Sequence, residues 1–141
     1  MKVTKEVTFD SAHLLSNYLG KCRNLHGHTY KLQVTLEGKL NKDGNEQDMV
    51  MDFNTMKSLI DTVLNSFDHA IIFSDECHRG KAEAALLEWA EEYDMNYVVV
   101  NGKSTSENIA TYIKQMFTDL IPESYTVFIK LWETPTSFAE V

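Results

Sequence analysis

Hydrophobic and polar residues alternate in two segments near the start of the chain, the pattern of half-buried β-strands. In residues 2–13 the apolar side is interrupted by Lys5 and Ser11 and ends at His13. Residues 26–38 alternate more regularly, and one side carries His26, His28, Tyr30, Leu32, Val34 and Leu36. The sequence therefore predicts two neighbouring strands, each with one face turned towards a core.

Three later segments carry apolar residues at spacings of three and four, which is typical of helices that bury one face. The first follows Asp52, whose side chain suits an N-cap. The second spans residues 81–93. The third opens with the capping-box pattern of residues 104–107 and ends before Pro122. The face predicted to be buried in the second helix consists of Ala82, Ala85, Leu86, Trp89 and Tyr93.

Further strands are predicted at residues 97–100 and 125–132, with 138–141 as a short partner of the latter. Two strands followed by helices and then one or two strands indicate an α+β fold, with helices on one face of an antiparallel sheet. No linker or internal repeat interrupts this order, so residues 1–141 are expected to form a single domain.

Composition narrows the functional class. With 43% hydrophobic and 24% charged residues the chain resembles ordinary globular proteins, and a net charge of −8 argues against non-specific nucleic-acid binding. No stretch approaches the roughly 18 apolar residues of a membrane span, and the first residues lack the apolar core of a signal peptide. Two cysteines do not make a disulfide framework. A cytoplasmic protein without nucleic-acid or membrane partners is expected.

Three histidines continue the apolar faces of the first two strands. A shift of one residue would turn every side chain to the opposite face, so the register indicates where each imidazole points. His13 is in phase with Phe9, and His26 and His28 are in phase with Leu32. A lone histidine there would more often be a core residue. If the strands pair, however, all three reach one zinc ion (Zn2+) and leave a fourth position open for substrate.

Cys22 lies four residues before the segment His26-Gly27-His28 and is therefore expected near the metal. A lowered pKa there would make its thiol a base or a nucleophile. Its neighbours Lys21 and Arg23 disfavour an inert buried thiol. The alternative is that Cys22 closes a structural site as a fourth ligand, with its sulfur about 2.3 Å from the zinc.

Other polar residues have weaker patterns. Asp68 and His69 are adjacent, and although neighbouring side chains usually diverge, a carboxylate can orient an imidazole for proton transfer. Glu133 continues the apolar face of the 125–132 strand, where a carboxylate needs a partner such as two N–H donors in a row. The alternative is a frayed strand end in solvent. Capping is the main predicted role of three further residues, with a second role at the mouth of a pocket: Thr105, Ser106 and Glu107.

Six segments, in this order, resemble the family of 6-pyruvoyltetrahydropterin and 6-carboxytetrahydropterin synthases. Each segment is a weak signal alone, but together they are specific and extend over nearly the whole chain. They are residues 9–13, 22–28, 49–53, 67–69, 104–108 and 132–134.

The resemblance implies the tunnelling fold (T-fold), a four-stranded antiparallel sheet with two helices on one face. It also implies a homo-oligomer, usually a hexamer of two trimers, with active sites at subunit interfaces. Residues 74–100 would be an inserted helical segment that short members of the family lack.

The resemblance also implies roles for individual residues. Zinc would be bound by His13, His26 and His28. Cys22 would be the base that abstracts a proton, Asp68 and His69 a second acid/base pair, and Glu133 the anchor of the pterin ring. The family's substrate is 7,8-dihydroneopterin triphosphate, and its chemistry requires no redox cofactor.

The three residues between Cys22 and His26 resemble the carboxy branch of the family. Members of that branch release acetaldehyde and triphosphate and leave 6-carboxy-5,6,7,8-tetrahydropterin, a precursor of 7-deazaguanines such as queuosine. The nearest alternative is the pyruvoyl branch, which releases triphosphate without acetaldehyde. More distant alternatives are a non-catalytic zinc- or pterin-binding module and a hydrolase of the carbonic anhydrase kind, which also uses three histidines.

Overall fold

The computed structural model describes residues 1–141 and contains six strands and three helices. A short 3-10 turn at Lys21–Arg23 separates the first two strands. In chain order the elements are β1 Lys2–His13, β2 His26–Glu37, α1 Phe53–Leu64, β3 Ala70–Phe73, α2 Lys81–Glu92, β4 Tyr97–Val99, α3 Ser106–Leu120, β5 Thr126–Thr134 and β6 Ser137–Glu140. None of the helices combines the length and apolar character needed to cross a membrane.

The sheet confirms the α+β class but corrects its predicted composition. Its six strands lie in the order β4-β3-β1-β2-β5-β6, so the prediction of four strands was wrong. The strands β1, β2, β5 and β6 are joined by antiparallel pairing, whereas β3 pairs with β1 and with β4 in parallel. The sheet is therefore mixed, and not antiparallel throughout. Strand β3 has only four residues, too few for an alternating pattern to be recognised.

One face of the sheet is covered by α1 and α3, and the main hydrophobic core lies between these helices and the sheet. Helix α1 buries Met56 and Ile60, and α3 buries Ile113 and Phe117, against apolar side chains of β1, β2 and β5. Each fully buried side chain of this size stabilises the fold by about 1.5–3 kcal/mol. The opposite sheet face carries the polar residues of the alternating pattern.

The predicted start of α1 is confirmed, and that of α3 is shifted by one residue. The Asp52 carboxylate accepts hydrogen bonds from the Asn54 and Thr55 amides, at 2.7 and 3.3 Å. In α3 the N-cap is Thr105, whose hydroxyl accepts from the Asn108 amide, and Ser104 is buried before the helix.

The buried face of α2 differs from the predicted one. Trp89 and Tyr93 are 42% and 59% exposed, whereas Leu87 and Ala90 pack against Phe73 of β3. The third member of the buried face is a glutamate, Glu83. The helical period shows which faces of α2 could be buried. Packing against the short strand β3 decides that the face with Leu87 and Ala90 is the buried one.

Candidate metal centre

The pairing of β1 with β2 brings the three predicted histidines together. His13 lies directly opposite His26, and Ser11 lies opposite His28. The metal-binding nitrogen atoms of the three imidazoles lie within 4.8 Å of one another. Their ring centroids are 4.6 Å apart for His13 and His26, 5.2 Å for His13 and His28, and 4.9 Å for His26 and His28. We call these residues the histidine group.

Hydrogen bonds orient two of these rings. The Nδ1 atom of His13 lies 2.6 Å from the Ser104 carbonyl oxygen, and that of His26 lies 2.7 Å from the Asn24 carbonyl oxygen. Because a carbonyl oxygen only accepts, each Nδ1 carries the proton and each Nε2 presents a lone pair. This is the arrangement in which a carbonyl positions a metal-bound histidine.

The Nε2 atoms of all three histidines are buried and have no hydrogen-bond partner. Leaving one buried polar atom unpaired costs about 1–3 kcal/mol, so three at one point indicate a missing ligand. Burial lowers the pKa of His13 and of His28, which keeps their rings neutral near neutral pH. Neutral imidazole is the form that binds metal, and this set of donors fits a zinc ion.

Glu133 and Ser106 lie beside the histidine group. One Glu133 carboxylate oxygen is 3.6 Å from Nε2 of His28, and the other accepts a hydrogen bond from the Ser106 hydroxyl. The carboxylate is about one quarter exposed, so it is accessible from solvent. Of the other two residues predicted at a pocket mouth, Thr105 caps α3 and Glu107 is exposed to solvent.

Cys22 lies in the 3-10 turn between β1 and β2 and is half-buried with a free thiol. Its carbonyl oxygen accepts a hydrogen bond from the Leu15 amide at 2.8 Å, which ties the turn to the end of β1. Its sulfur is not among the ligand atoms that cluster within 4.8 Å.

Asp68 and His69 form a pair of their own before β3. Nδ1 of His69 lies 3.1 Å from the Asp68 carboxylate. The two adjacent side chains meet although His69 has a left-handed backbone with φ of 56°. The Asp68 carboxylate also accepts a hydrogen bond from the Asp10 amide at 3.0 Å, and this bond is the main reason for its lowered pKa. Asp68 is therefore ionised near neutral pH and can hold the His69 ring.

His69 lines an open cavity of about 470 Å³. His28 lines the same cavity, whereas His13, His26 and Cys22 do not. The His69 side chain is 77% exposed, and its only ion pair is the one with Asp68. Within one chain, then, Glu133 and Ser106 lie beside the histidine group. The pair of Asp68 and His69 is connected to that group only by the cavity that His28 and His69 both line.

Tyr30 also lies beside the histidine group, and no role there was predicted for it from the sequence. Its ring lies 5.5 Å from that of His28, and its buried hydroxyl has no hydrogen-bond partner. Burial, followed by the nearby Glu133 and Cys22, raises the pKa of Tyr30, so the phenol keeps its proton. The available signal was its position on the same strand face, two residues after His28.

Comparison with known proteins identifies the family. The sequence profile of the family described as 6-pyruvoyl tetrahydropterin synthase matches residues 2–141. The chain belongs to this family. A relative in Haemophilus influenzae, named 6-carboxy-5,6,7,8-tetrahydropterin synthase, is 43% identical over 99% of this chain and 96% of its own length. A Rickettsia bellii protein of the same name is 36% identical over 100% of this chain and 99% of its own length.

Solved structures from the family have the same fold. A 6-pyruvoyltetrahydropterin synthase from Plasmodium vivax superposes with a TM-score of 0.73 at 20% identity, covering 100% of this chain and 96% of that chain. One from Caenorhabditis elegans gives a TM-score of 0.70 at 23% identity, covering 100% and 94%. The resemblance inferred from the sequence is confirmed, and with it the prediction of an enzyme, a lyase of this family.

Proposed function

We propose that the chain is a zinc-dependent lyase that converts 7,8-dihydroneopterin triphosphate and water into 6-carboxy-5,6,7,8-tetrahydropterin, acetaldehyde and triphosphate. The observation that carries this proposal is the set of three unpaired Nε2 atoms beside the Glu133 carboxylate. The names of the two relatives support the carboxy product over the pyruvoyl one. The pathway served would be the synthesis of 7-deazaguanines such as queuosine.

In this proposal His13, His26 and His28 hold the metal through Nε2. Zinc, when bound, supplies a Lewis acid that stabilises negative charge on the side-chain hydroxyls of the substrate. The Ser104 and Asn24 carbonyl oxygens keep two of the imidazoles in the required tautomer. Burial keeps His13 and His28 unprotonated, so that protons do not compete for the lone pairs.

The remaining residues divide binding and proton transfer between them. Glu133 accepts two N–H groups from the amino-pyrimidinone edge of the pterin, and the Ser106 hydroxyl holds the carboxylate in position. Cys22 removes the proton from a side-chain carbon of the substrate. His69, oriented by the ionised Asp68, transfers the second proton. Thr105 and Glu107 at the start of α3 complete the pocket mouth.

We further propose that residues 1–141 form one catalytic domain that assembles into a hexamer of two trimers. His69 is exposed, and its side chain forms no hydrogen bond or ion pair with Cys22 or Glu133 of the same chain, which supports active sites completed between subunits. This arrangement would let one subunit contribute the pair of Asp68 and His69 to the metal centre of another.

Products distinguish the two branches of the family. Purified, zinc-loaded protein incubated with 7,8-dihydroneopterin triphosphate is expected to release triphosphate and acetaldehyde in equal amounts. Coupled assays for the two products measure both. Triphosphate without acetaldehyde would identify the pyruvoyl reaction, and neither product would contradict a role as a lyase on this substrate.

Glutamine at Glu133 is expected to weaken substrate use without loss of zinc. An amide offers one acceptor oxygen in place of two, and a hydrogen bond to a charged group contributes about 1.5–3 kcal/mol. The value of kcat/KM should therefore fall roughly 10- to 100-fold. The matched control is Glu140→Gln, an exposed glutamate on the neighbouring strand that forms an ion pair with Lys130. Unchanged kcat/KM in Glu133→Gln would contradict the role of Glu133 as the anchor of the pterin ring.

A further inference from the structure

Glu83 of α2 is a buried carboxylate that the mechanism above does not use. It is 0% exposed, although the face around it is formed by Leu87 and Ala90. One carboxylate oxygen accepts from the Ser74 amide at 2.7 Å, and the other accepts from the Ser16 hydroxyl at 2.5 Å. It forms no ion pair, so its burial depends on these two hydrogen bonds, because an unpaired buried carboxyl group would be costly.

The partners of Glu83 lead directly to the histidine group. The Ser74 hydroxyl accepts a hydrogen bond from the Ser104 amide at 3.2 Å. The Ser104 carbonyl oxygen is the partner of Nδ1 of His13, and the Ser104 hydroxyl donates to the Leu14 carbonyl oxygen at 3.0 Å. Ser74 and Ser104 are both 0% exposed, so these bonds are protected from water.

The second oxygen of Glu83 connects α2 to the segment that follows His13. Its partner Ser16 lies three residues after His13, in the segment whose Leu15 amide binds the Cys22 carbonyl oxygen. The approach is close, because a Cβ added at Gly80 would lie 2.9 Å from the Ser16 hydroxyl oxygen. The start of α2, whose dipole favours a negative charge, thus holds the segment that joins His13 to the turn of Cys22.

We propose that Glu83 is a positioning residue of the metal centre, acting through Ser74 and Ser104 on His13 and through Ser16 on the Cys22 turn. The inserted segment 74–100 therefore has a role: it supplies the buried acceptor that orders the ligand set. This inference rests on the proposed metal site. Outer partners of metal ligands typically contribute 10- to 100-fold to metal affinity or activity.

The test measures zinc affinity of the folded protein by competition with a chromophoric chelator, together with the visible spectrum of the cobalt-loaded form. Glu83→Ala should bind zinc about tenfold more weakly and change the cobalt spectrum. Circular dichroism and thermal unfolding report the folded fraction. A merely structural role would lower thermal stability and leave the affinity of the folded molecules unchanged, and that result would overturn the proposal.

Glu83→Gln separates geometry from charge. Its amide oxygen can accept from the Ser74 amide and its NH2 group can donate to the Ser16 hydroxyl, so both links survive. Zinc affinity close to that of the unsubstituted chain is expected, and a loss as large as in Glu83→Ala would contradict positioning by these bonds. The matched control is Glu88→Ala, an exposed glutamate on the same helix, which should change nothing.

If Glu83→Ala does not fold, Ser74→Ala tests the connection from Glu83 to Ser104 with a smaller change in structure. It removes only the hydroxyl that accepts from the Ser104 amide. Weaker zinc binding is expected, and unchanged affinity would overturn the proposal. His28→Ala in the same assay shows the loss of zinc binding expected when a direct ligand is removed. The metal site and the role of Glu83 are then tested separately. Zinc binding that is absent from the unsubstituted chain would reject the metal site itself, whereas binding that is equal in the unsubstituted and Glu83→Ala chains would reject only the role of Glu83.

Discussion

Alanine at His26 or His28 should abolish zinc binding and catalytic turnover together. Each substitution removes one of three Nε2 donors that converge at one buried point. Because outer partners of ligands already contribute 10- to 100-fold, loss of a direct ligand should weaken zinc binding by more than about 100-fold. Elemental analysis after gel filtration measures the metal, and release of triphosphate measures turnover.

The matched control for these variants is His78→Ala. His78 is partly exposed, its Nδ1 lies 2.6 Å from the Asp75 carboxylate, and it is not a member of the histidine group. It should keep both zinc and activity. Stoichiometric zinc in a folded His26→Ala or His28→Ala protein would show that the replaced residue is not a ligand. If the unsubstituted chain binds zinc but has no turnover, a non-catalytic binding module would gain support.

Cys22→Ala should retain fold and zinc and lose most of its activity. A positioned base typically contributes 10²- to 10⁴-fold to the rate, so kcat should fall by about that factor. The Cys22 sulfur is not among the clustered ligand atoms, and alanine leaves the backbone bond between Leu15 and residue 22 in place. Stopped-flow or steady-state release of triphosphate measures the rate.

This variant also distinguishes the two roles considered for the thiol. If Cys22 is a fourth ligand of a structural zinc site, Cys22→Ala should bind zinc more weakly. If it is a base, zinc affinity should be unchanged. Cys77→Ala is the matched control, because Cys77 is a free, exposed thiol in the segment before α2. An undiminished rate in Cys22→Ala would rule out the cysteine as the base.

The histidine group could be predicted from the sequence because strand register is periodic. Alternation places His13 on the apolar face of one strand and His26 and His28 on that of the next, and the observed pairing of His13 with His26 agrees with it. The orientation of the rings could not be predicted. Their partners, the carbonyl oxygens of Ser104 and Asn24, are backbone atoms that carry no residue-specific signal.

The buried face of α2, the strand β3 and the parallel pairing of β3 with β1 and β4 could not be predicted from the sequence, for a different reason. Trp89 and Tyr93 made the more hydrophobic stripe, yet α2 turns Glu83, Leu87 and Ala90 inwards. The choice depends on β3, which is too short to show a period and pairs with β1 over residues distant in the chain. Glu83 looks like a solvated helix residue until Ser16 and Ser74 are seen to surround it.

The sequence by itself determined the α+β class, the extents of β1 and β2, and the three imidazoles, because these depend on local periodicity and residue chemistry. Only the tertiary structure decided the mixed six-stranded sheet, the meeting of Glu133 with Ser106 and His28, and the buried link from Glu83 to His13. These features join residues far apart in the chain, and their bonds form only when packing excludes water from the groups between them.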